Sequence, residues 1–257
     1  LNKGYKFNKR LIENVLDQTF DNKMEDILDT YVEYGKILKP YIADVSVELY
    51  NAHKEGKRIL FEGAQGISLD VDHGIYPFTT SSNTCTGQIS VGTGVSFSSI
   101  DRVIGVVKAY LSRVGESPLP SESKDTDGEL IREKGREYGT TTGRPRRIGW
   151  LDLVQIRQAV RINGLTEIAL TKLDVLNNIP EIPICTSYEL GDNEIKEMPA
   201  SLTQYREAKP IYKRLTGWGD LPENVWDHGY DALPTELKNY ITFIEDEVDC
   251  PVTIVSV

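Results

Sequence analysis

The chain has 257 residues, 39% hydrophobic and 26% charged, with a formal net charge of -10. This composition suits a globular protein with enough chain for a substantial core, and its acidity argues against a nucleic-acid-binding surface. No apolar run approaches the roughly 20 residues that span a bilayer, and the N-terminal Leu1-Asn2-Lys3-Gly4-Tyr5-Lys6 lacks the apolar core of a signal peptide. Cys85, Cys185 and Cys250 lie far apart without CxxC spacing, which predicts buried free thiols rather than a disulfide framework or a zinc site. The expectation is a soluble, cytoplasmic protein that contacts neither membrane nor nucleic acid.

Leu11, Ile12, Val15, Leu16 and Phe20 recur at helical spacing and predict a helix from Lys9 to about Phe20. A longer helical region follows from Glu25 to Lys57. In it, Ile27, Leu28, Tyr31, Val32, Tyr34 and Ile37 form a stripe expected to be buried, Pro40 divides or kinks the helix, and Gly56 ends it. Arg58 to Gly63 reads as a short buried strand entering a glycine turn. From Gly63 to Gly94 the chain is rich in Gly, Ser, Thr and Asn and has no period. Loops of that length inside a compact domain are uncommon unless functional, which makes the segment a candidate site.

Arg102 to Tyr110 is apolar and β-branched enough for a central strand, Pro118 to Gly128 reads as loop, and Gly128 to Arg136 as a short helix. Leu151 to Val160 has helical spacing and stops at Asn163-Gly164, and Glu167 to Leu170 is the next strand. Ile182 to Met198 reads as a hairpin around Gly191-Asp192-Asn193, and Gln204 to Pro234 as irregular. A helix from Glu236 to Val248 and a strand from Val252 to Val255 follow. The predicted fold class is α/β, with a mostly parallel central sheet, flanking helices and a small antiparallel hairpin insertion, organised as a single domain over 1–257.

Two stretches concentrate chemistry. Gly139-Thr140-Thr141-Thr142-Gly143-Arg144-Pro145-Arg146-Arg147 sets three hydroxyls between two glycines and adds three arginines. The glycines let backbone N–H groups approach a ligand, and each guanidinium can grip a carboxylate or phosphate through two parallel bonds. With Arg132, Lys134 and Arg136 nearby, this is a local basic cluster in an acidic chain; the same residues also read as a basic surface turn. The second stretch, Thr171-Lys172-Leu173-Asp174, follows an apolar strand at the end where ligands bind in open α/β sheets. There an aspartate can accept from N1–H and N2–H2 of guanine, a pair of donors that adenine lacks, while a lysine stem covers the flat base. A base pocket needs a second wall, and the strand from Thr253 to Val257 is expected to end beside it. Neither GxxxxGK[ST] nor a GxGxxG strand-to-helix turn is present to cradle phosphates.

Phe61-Glu62-Gly63-Ala64-Gln65-Gly66, Leu69 to Pro77, Thr80-Ser81-Ser82-Asn83, Lys108-Ala109-Tyr110, Arg113-Val114-Gly115, Gly139 to Arg147 and Leu170 to Asp174 occur in the order and approximate spacing of the adenylosuccinate synthetases. The chain resembles the C-terminal part of that family. The resemblance implies a homodimeric ligase of AMP biosynthesis with a base-binding end like that of P-loop GTPases. Such a ligase uses GTP to phosphorylate O6 of IMP, and L-aspartate then displaces the phosphate.

The resemblance implies that Gln65 meets the reacting edge of IMP in a supporting catalytic role, that Thr80 meets its 5'-phosphate, and that Val114 and Arg144 contact the nucleotide. Thr140, Thr141, Thr142, Gly143, Arg144 and Arg146 would hold aspartate. Arg146, Lys172, Leu173, Asp174, Ser256 and Val257 would hold GTP. The family's phosphate loop, catalytic aspartate and catalytic histidine have no counterpart here, so ligands of Mg2+ are expected outside this sequence and the chain alone is expected to turn over nothing. His73 is expected to be structural. Two other readings fit the residues: a guanine-nucleotide-binding module built on Thr171 to Asp174, and a non-catalytic interaction protein that keeps only the fold.

Overall fold

The computed structural model describes residues 1–140, 143–221 and 224–256. It clusters into two compact units, Leu1–Ile59 and Leu60–Val257. The first unit is helical, with α1 at Asn2–Asn14, α2 at Met24–Leu38 and α3 at Val45–Lys54. Helix α1 begins and ends earlier than its apolar spacing predicts; the chain turns after Val15 and Asp17 adopts a left-handed φ of 51°. The division expected at Pro40 is present as a 3-10 turn over Lys39–Tyr41, since proline can neither donate to nor fit inside a continuing α-helix. Asp44 then caps α3 by accepting from the Val47 N–H at 3.3 Å.

The helical spacing in α2 is observed, but the burial expected of its stripe is not. Tyr31 is 67% exposed and Ile37 64%, and none of the three helices holds a buried residue. Three short helices enclose too little volume to cover their own apolar faces.

The strand expected at Arg58 to Gly63 is absent. The segment is irregular and Leu60 is 88% exposed, because an apolar run forms a strand only where a ladder partner receives it. The long irregular segment is as expected, broken by the short helix α4 at Gln88–Thr93. Strands β1 (Ile104–Lys108) and β2 (Tyr110–Arg113) divide the predicted Arg102 to Tyr110 strand at Ala109. Helix α5 (Thr126–Gly135), strand β3 (Arg147–Trp150), helix α6 (Leu153–Asn163) and strand β4 (Glu167–Thr171) follow. Strands β5 (Glu181–Leu190) and β6 (Asn193–Ile195) form the expected hairpin. Helix α7 (Leu202–Glu207), strand β7 (Lys209–Thr216), helix α8 (Thr235–Val248) and strand β8 (Val252–Val255) complete the order.

The parallel sheet has the order β1-β4-β8. The apolar strand expected at its centre is therefore at its edge, with Val106 76% exposed; β4, buried at every position from Glu167 to Leu170, occupies the centre. Strands β2 and β3 pair antiparallel, and β6-β5-β7 form a separate antiparallel sheet. Strand β7 lies in the stretch expected to be irregular. Lys209, Pro210, Lys213 and Arg214 mask its period, and its order comes from an eight-residue ladder with β5. Helices α6 and α8 pack with β4 around Ile168, Leu170, Leu153, Tyr240 and Ile244. The Tyr240 hydroxyl donates to the Ala109 carbonyl at 2.9 Å, fixing the junction between β1 and β2.

Candidate functional site

Strands β1, β4 and β8 run parallel, so their carboxyl ends share one edge of the sheet. Lys108 at the end of β1 is in register with Thr171 at the end of β4. Lys172 follows with a left-handed φ of 65°, where the chain leaves the strand and starts a 3-10 turn over Leu173–Leu176. That break leaves Asp174 exposed while Leu173 is fully buried. Leu173 can therefore offer a ligand only its backbone; its side chain belongs to the core. The Ser256 N–H donates to the Leu170 carbonyl at 2.9 Å, so the terminal strand does end beside Thr171 to Asp174. Val257 lies outside the described residues.

The Gly139 loop rises from the same edge. Its base is closed by the Gly139 N–H donating to the Arg144 carbonyl at 2.8 Å and by the Gly143 N–H donating to the Gly139 carbonyl at 2.7 Å. Gly143 has φ +64°, a conformation that a side chain would strain. Thr140, Gly143 and Arg144 are exposed, while Thr141 and Thr142 lie outside the described residues.

Glu137, 2% exposed, anchors the loop. Its Oε1 accepts from Lys108 Nζ at 2.5 Å and from the Tyr110 hydroxyl at 2.7 Å, and its Oε2 accepts from Arg146 Nη1 at 2.7 Å. Burial would raise this carboxyl, but the bonds from Lys108 and Tyr110, the charge of Lys108 and the bond from Arg146 prevail and hold it at about 2. Burial and the adjacent Glu137 carboxylate push the Tyr110 hydroxyl up.

The three arginines of the loop have different surroundings. Arg147 meets Glu122 through Nε and Nη2, both at 2.7 Å, and its Nη1 donates to the carbonyls of Gly115 at 3.0 Å and Ser117 at 2.7 Å. It is a structural brace, which corrects its reading as an anion grip. Lys134, read with the same basic cluster, donates to the Asn177 carbonyl at 2.8 Å. Arg146 contacts Glu137 through one guanidinium nitrogen, and Arg144 stands on the exposed turn.

The irregular segment is organised by Asp70, which is fully buried. Its carboxylate accepts from the N–H groups of Asp72, His73, Thr84 and Cys85 at 2.9, 2.9, 2.5 and 3.2 Å, and from Asn83 Nδ2 at 3.3 Å. Burial opposes ionisation, and the backbone donors, His73 and Thr84 foremost, still hold this carboxyl at about 2. Gly74 completes the turn: a Cβ there would lie 2.4 Å from the Asp70 carbonyl oxygen. His73 is exposed, and the loop uses its backbone: its N–H donates to Asp70 and its carbonyl accepts from Gln158.

Gln65 has a left-handed φ of 61° and lines a cavity of about 410 Å³ together with Glu62, Asn83, Thr84 and Gln88. Cys85 also lines it and is half-buried, unlike the buried Cys185 and Cys250; all three thiols are free. The Thr80 N–H donates to the Leu69 carbonyl at 2.8 Å, which fixes Thr80 on the same loop. Arg113 joins this loop to the sheet through Ser68 Oγ at 3.0 Å and the Phe78 carbonyl at 3.3 Å. Arg113 is in register with Arg147 and directly precedes the exposed Val114.

The candidate residues thus form one connected series. Gln65 and Thr80 sit on a loop tied to Arg113, Arg113 pairs across the ladder with Arg147, Arg146 binds Glu137, Glu137 binds Lys108, and Lys108 lies opposite Thr171. Glu137 and Asp70 did not emerge from the sequence; each is an ordinary acidic residue until its partners arrive from distant segments. Among the described residues, no group of three or more His, Cys, Asp or Glu could hold a metal ion, so the Mg2+ that the resemblance implies finds no fitting ligand set here. No described helix is long and apolar enough to cross a membrane.

A family model described as adenylosuccinate synthetase matches residues 1–257. The chain is 50% identical over 234 residues to the adenylosuccinate synthetase of Caldanaerobacter subterraneus subsp. tengcongensis, covering 91% of this chain and 54% of that protein. It is 45% identical over 260 residues to that of Geobacter sulfurreducens, covering 98% and 60% respectively. The structure of the fully ligated adenylosuccinate synthetase from Plasmodium falciparum matches with a TM-score of 0.88 at 34% identity, covering 99% of this chain and 60% of that one. The chain therefore spans 54% to 60% of the length of these relatives.

Proposed function

The chain belongs to the adenylosuccinate synthetase family, whose members are ligases of purine biosynthesis, and from that premise we propose that it carries the aspartate grip, the guanine reader and part of the IMP pocket of a GTP-dependent enzyme joining IMP to L-aspartate. The observation that supports this reading is the connected edge from Arg146 through Glu137 and Lys108 to Thr171 at the end of β4.

In the first step the γ-phosphoryl group of GTP passes to O6 of IMP. The bond from phosphorus to the bridging oxygen breaks, GDP leaves, and the N1 proton is lost. Gln65 would bond the reacting edge of the base, with Thr80, Val114 and Arg144 holding the rest of the nucleotide. Lys172 would cover the guanine face, Asp174 would accept from N1–H and N2–H2, and the Leu173 backbone, Ser256 and Val257 would close the pocket. Positioning and charge neutralisation carry most of such a transfer.

In the second step the aspartate amine attacks C6 and phosphate departs with the original O6. The aspartate carboxylates must be held while the nitrogen stays free. Arg144 and Arg146 would supply charge, and the Thr140 to Gly143 turn would supply hydroxyls and backbone donors. The reading includes a homodimer in the cytoplasm.

Oxygen tracing tests it. With IMP labelled by 18O at position 6, the full-length protein carrying this chain should release labelled inorganic phosphate in step with adenylosuccinate. Adenylosuccinate formed with unlabelled phosphate would rule out this route.

A further inference from the structure

The loop arginines differ in a way that points to Glu137. Arg147 is held by four bonds to a carboxylate and two carbonyls. Among the described residues, the Arg146 guanidinium meets Glu137 through Nη1, and Nε and Nη2 are the atoms that would take an anion. Its backbone is held as well, with the Arg146 N–H donating to the Glu137 carbonyl at 2.9 Å and its carbonyl accepting from Arg132 Nε at 2.9 Å. The same carboxylate holds Lys108 and Tyr110, whose strands are part of the sheet framework.

We propose that Glu137 is a positioning residue that acts through Arg146, fixing its guanidinium on the sheet edge before aspartate arrives. This role rests on the function proposed above. A loop arginine loses rotamer freedom when it grips a substrate, and a tether made beforehand removes that cost from binding. Glu137 also separates two cations. Without its charge, Lys108 and Arg146 would face one another with no negative charge between them, and the arginine would turn away from the edge.

The test uses the full-length protein carrying this chain, with Glu137→Gln, Arg146→Ala and the double variant. Adenylosuccinate formation is followed against aspartate and IMP, and each variant is unfolded in urea. Glu137→Gln should raise the KM for aspartate roughly tenfold, the scale of one charge-assisted hydrogen bond, while the KM for IMP changes less than about twofold. In the Arg146→Ala background the same substitution should have no further effect on aspartate.

An unchanged KM for aspartate, a full additional effect in the Arg146→Ala background, or equal losses for both substrates with a lower unfolding midpoint would each overturn the positioning role and leave the functional reading standing. If the unsubstituted protein makes no adenylosuccinate, both fall. Where Glu137→Gln does not fold, Glu137→Asp keeps the charge, shortens the reach and supplies the same comparison.

Discussion

Ser256 and Leu170 are joined by a backbone hydrogen bond of 2.9 Å that carries β8 to the end of β4. The bond sets Ser256 beside the end of β4, just before Lys172 and Asp174, so the two walls of the proposed base pocket come from segments far apart in sequence.

Asp174→Asn replaces an acceptor-only carboxylate with an amide that presents one donor. Guanine loses two charge-assisted bonds, so kcat/KM for GTP should fall by roughly tenfold to a hundredfold. Xanthine carries a carbonyl where guanine has its amino group, and the new donor suits it. XTP should therefore gain relative to GTP in steady-state assays; an unaltered preference for GTP would remove the base-reading role.

Arg144 stands on the exposed turn of the loop proposed to hold aspartate. Arg144→Ala should raise the KM for aspartate by about tenfold or more and leave guanine-nucleotide affinity, measured by calorimetry, nearly unchanged. Equal losses in both would contradict its assignment.

Arg147 should behave differently. Removing it leaves the Glu122 carboxylate with Lys124 at 3.6 Å and takes away the Arg147 donor of the Gly115 and Ser117 carbonyls. Arg147→Ala should destabilise the fold by about 2 kcal/mol in urea unfolding, with no selective loss of aspartate or GTP. A selective substrate defect at unchanged stability would restore it to the binding loop.

Acid should loosen the Asp70 loop. Its carboxyl ordinarily ionises at 3.8 and is held at about 2 in the fold. A depressed carboxyl contributes stability that is present above the unfolded value and lost as pH falls through the folded value. Stability should therefore decline between about pH 4 and pH 2. Glu137, lowered from 4.5 to about 2, acts in the same sense. Asp70→Asn should be less stable at pH 7, by roughly 1–3 kcal/mol for the donors it leaves poorly paired. The gap should narrow on acidification. Parallel unfolding curves at pH 7 and pH 3 would contradict this coupling.

The periodic parts of the fold were legible in the chain. Helix α6 ends at Asn163 with Gly164 in a left-handed conformation, as its C-cap residue demands, and β4, α8 and the β5–β6 hairpin lie where pattern places them. Elements decided by a distant partner were not legible. Strand β7 carries Lys213 and Arg214 toward solvent and is ordered by β5, while Ile59, Leu60 and Phe61 have no ladder to join among the described residues. Within the site, Gly139 to Arg147 stood out by composition, but only structure separates the bracing Arg147 from the singly tethered Arg146. Asp70 illustrates the same limit: nothing local shows that one carboxylate gathers backbone donors from both ends of a long loop.

The central question is whether the arginine loop and the proposed base-reading strand end serve one reaction. The most direct measurement is the rate of adenylosuccinate formation by the full-length protein carrying this chain, with IMP, GTP and L-aspartate omitted one at a time. Turnover is expected only when all three are present, together with GDP and phosphate released in equal amounts to product. GTP hydrolysis that ignores IMP and aspartate, with no adenylosuccinate formed, would show a guanine-nucleotide module instead and contradict that expectation.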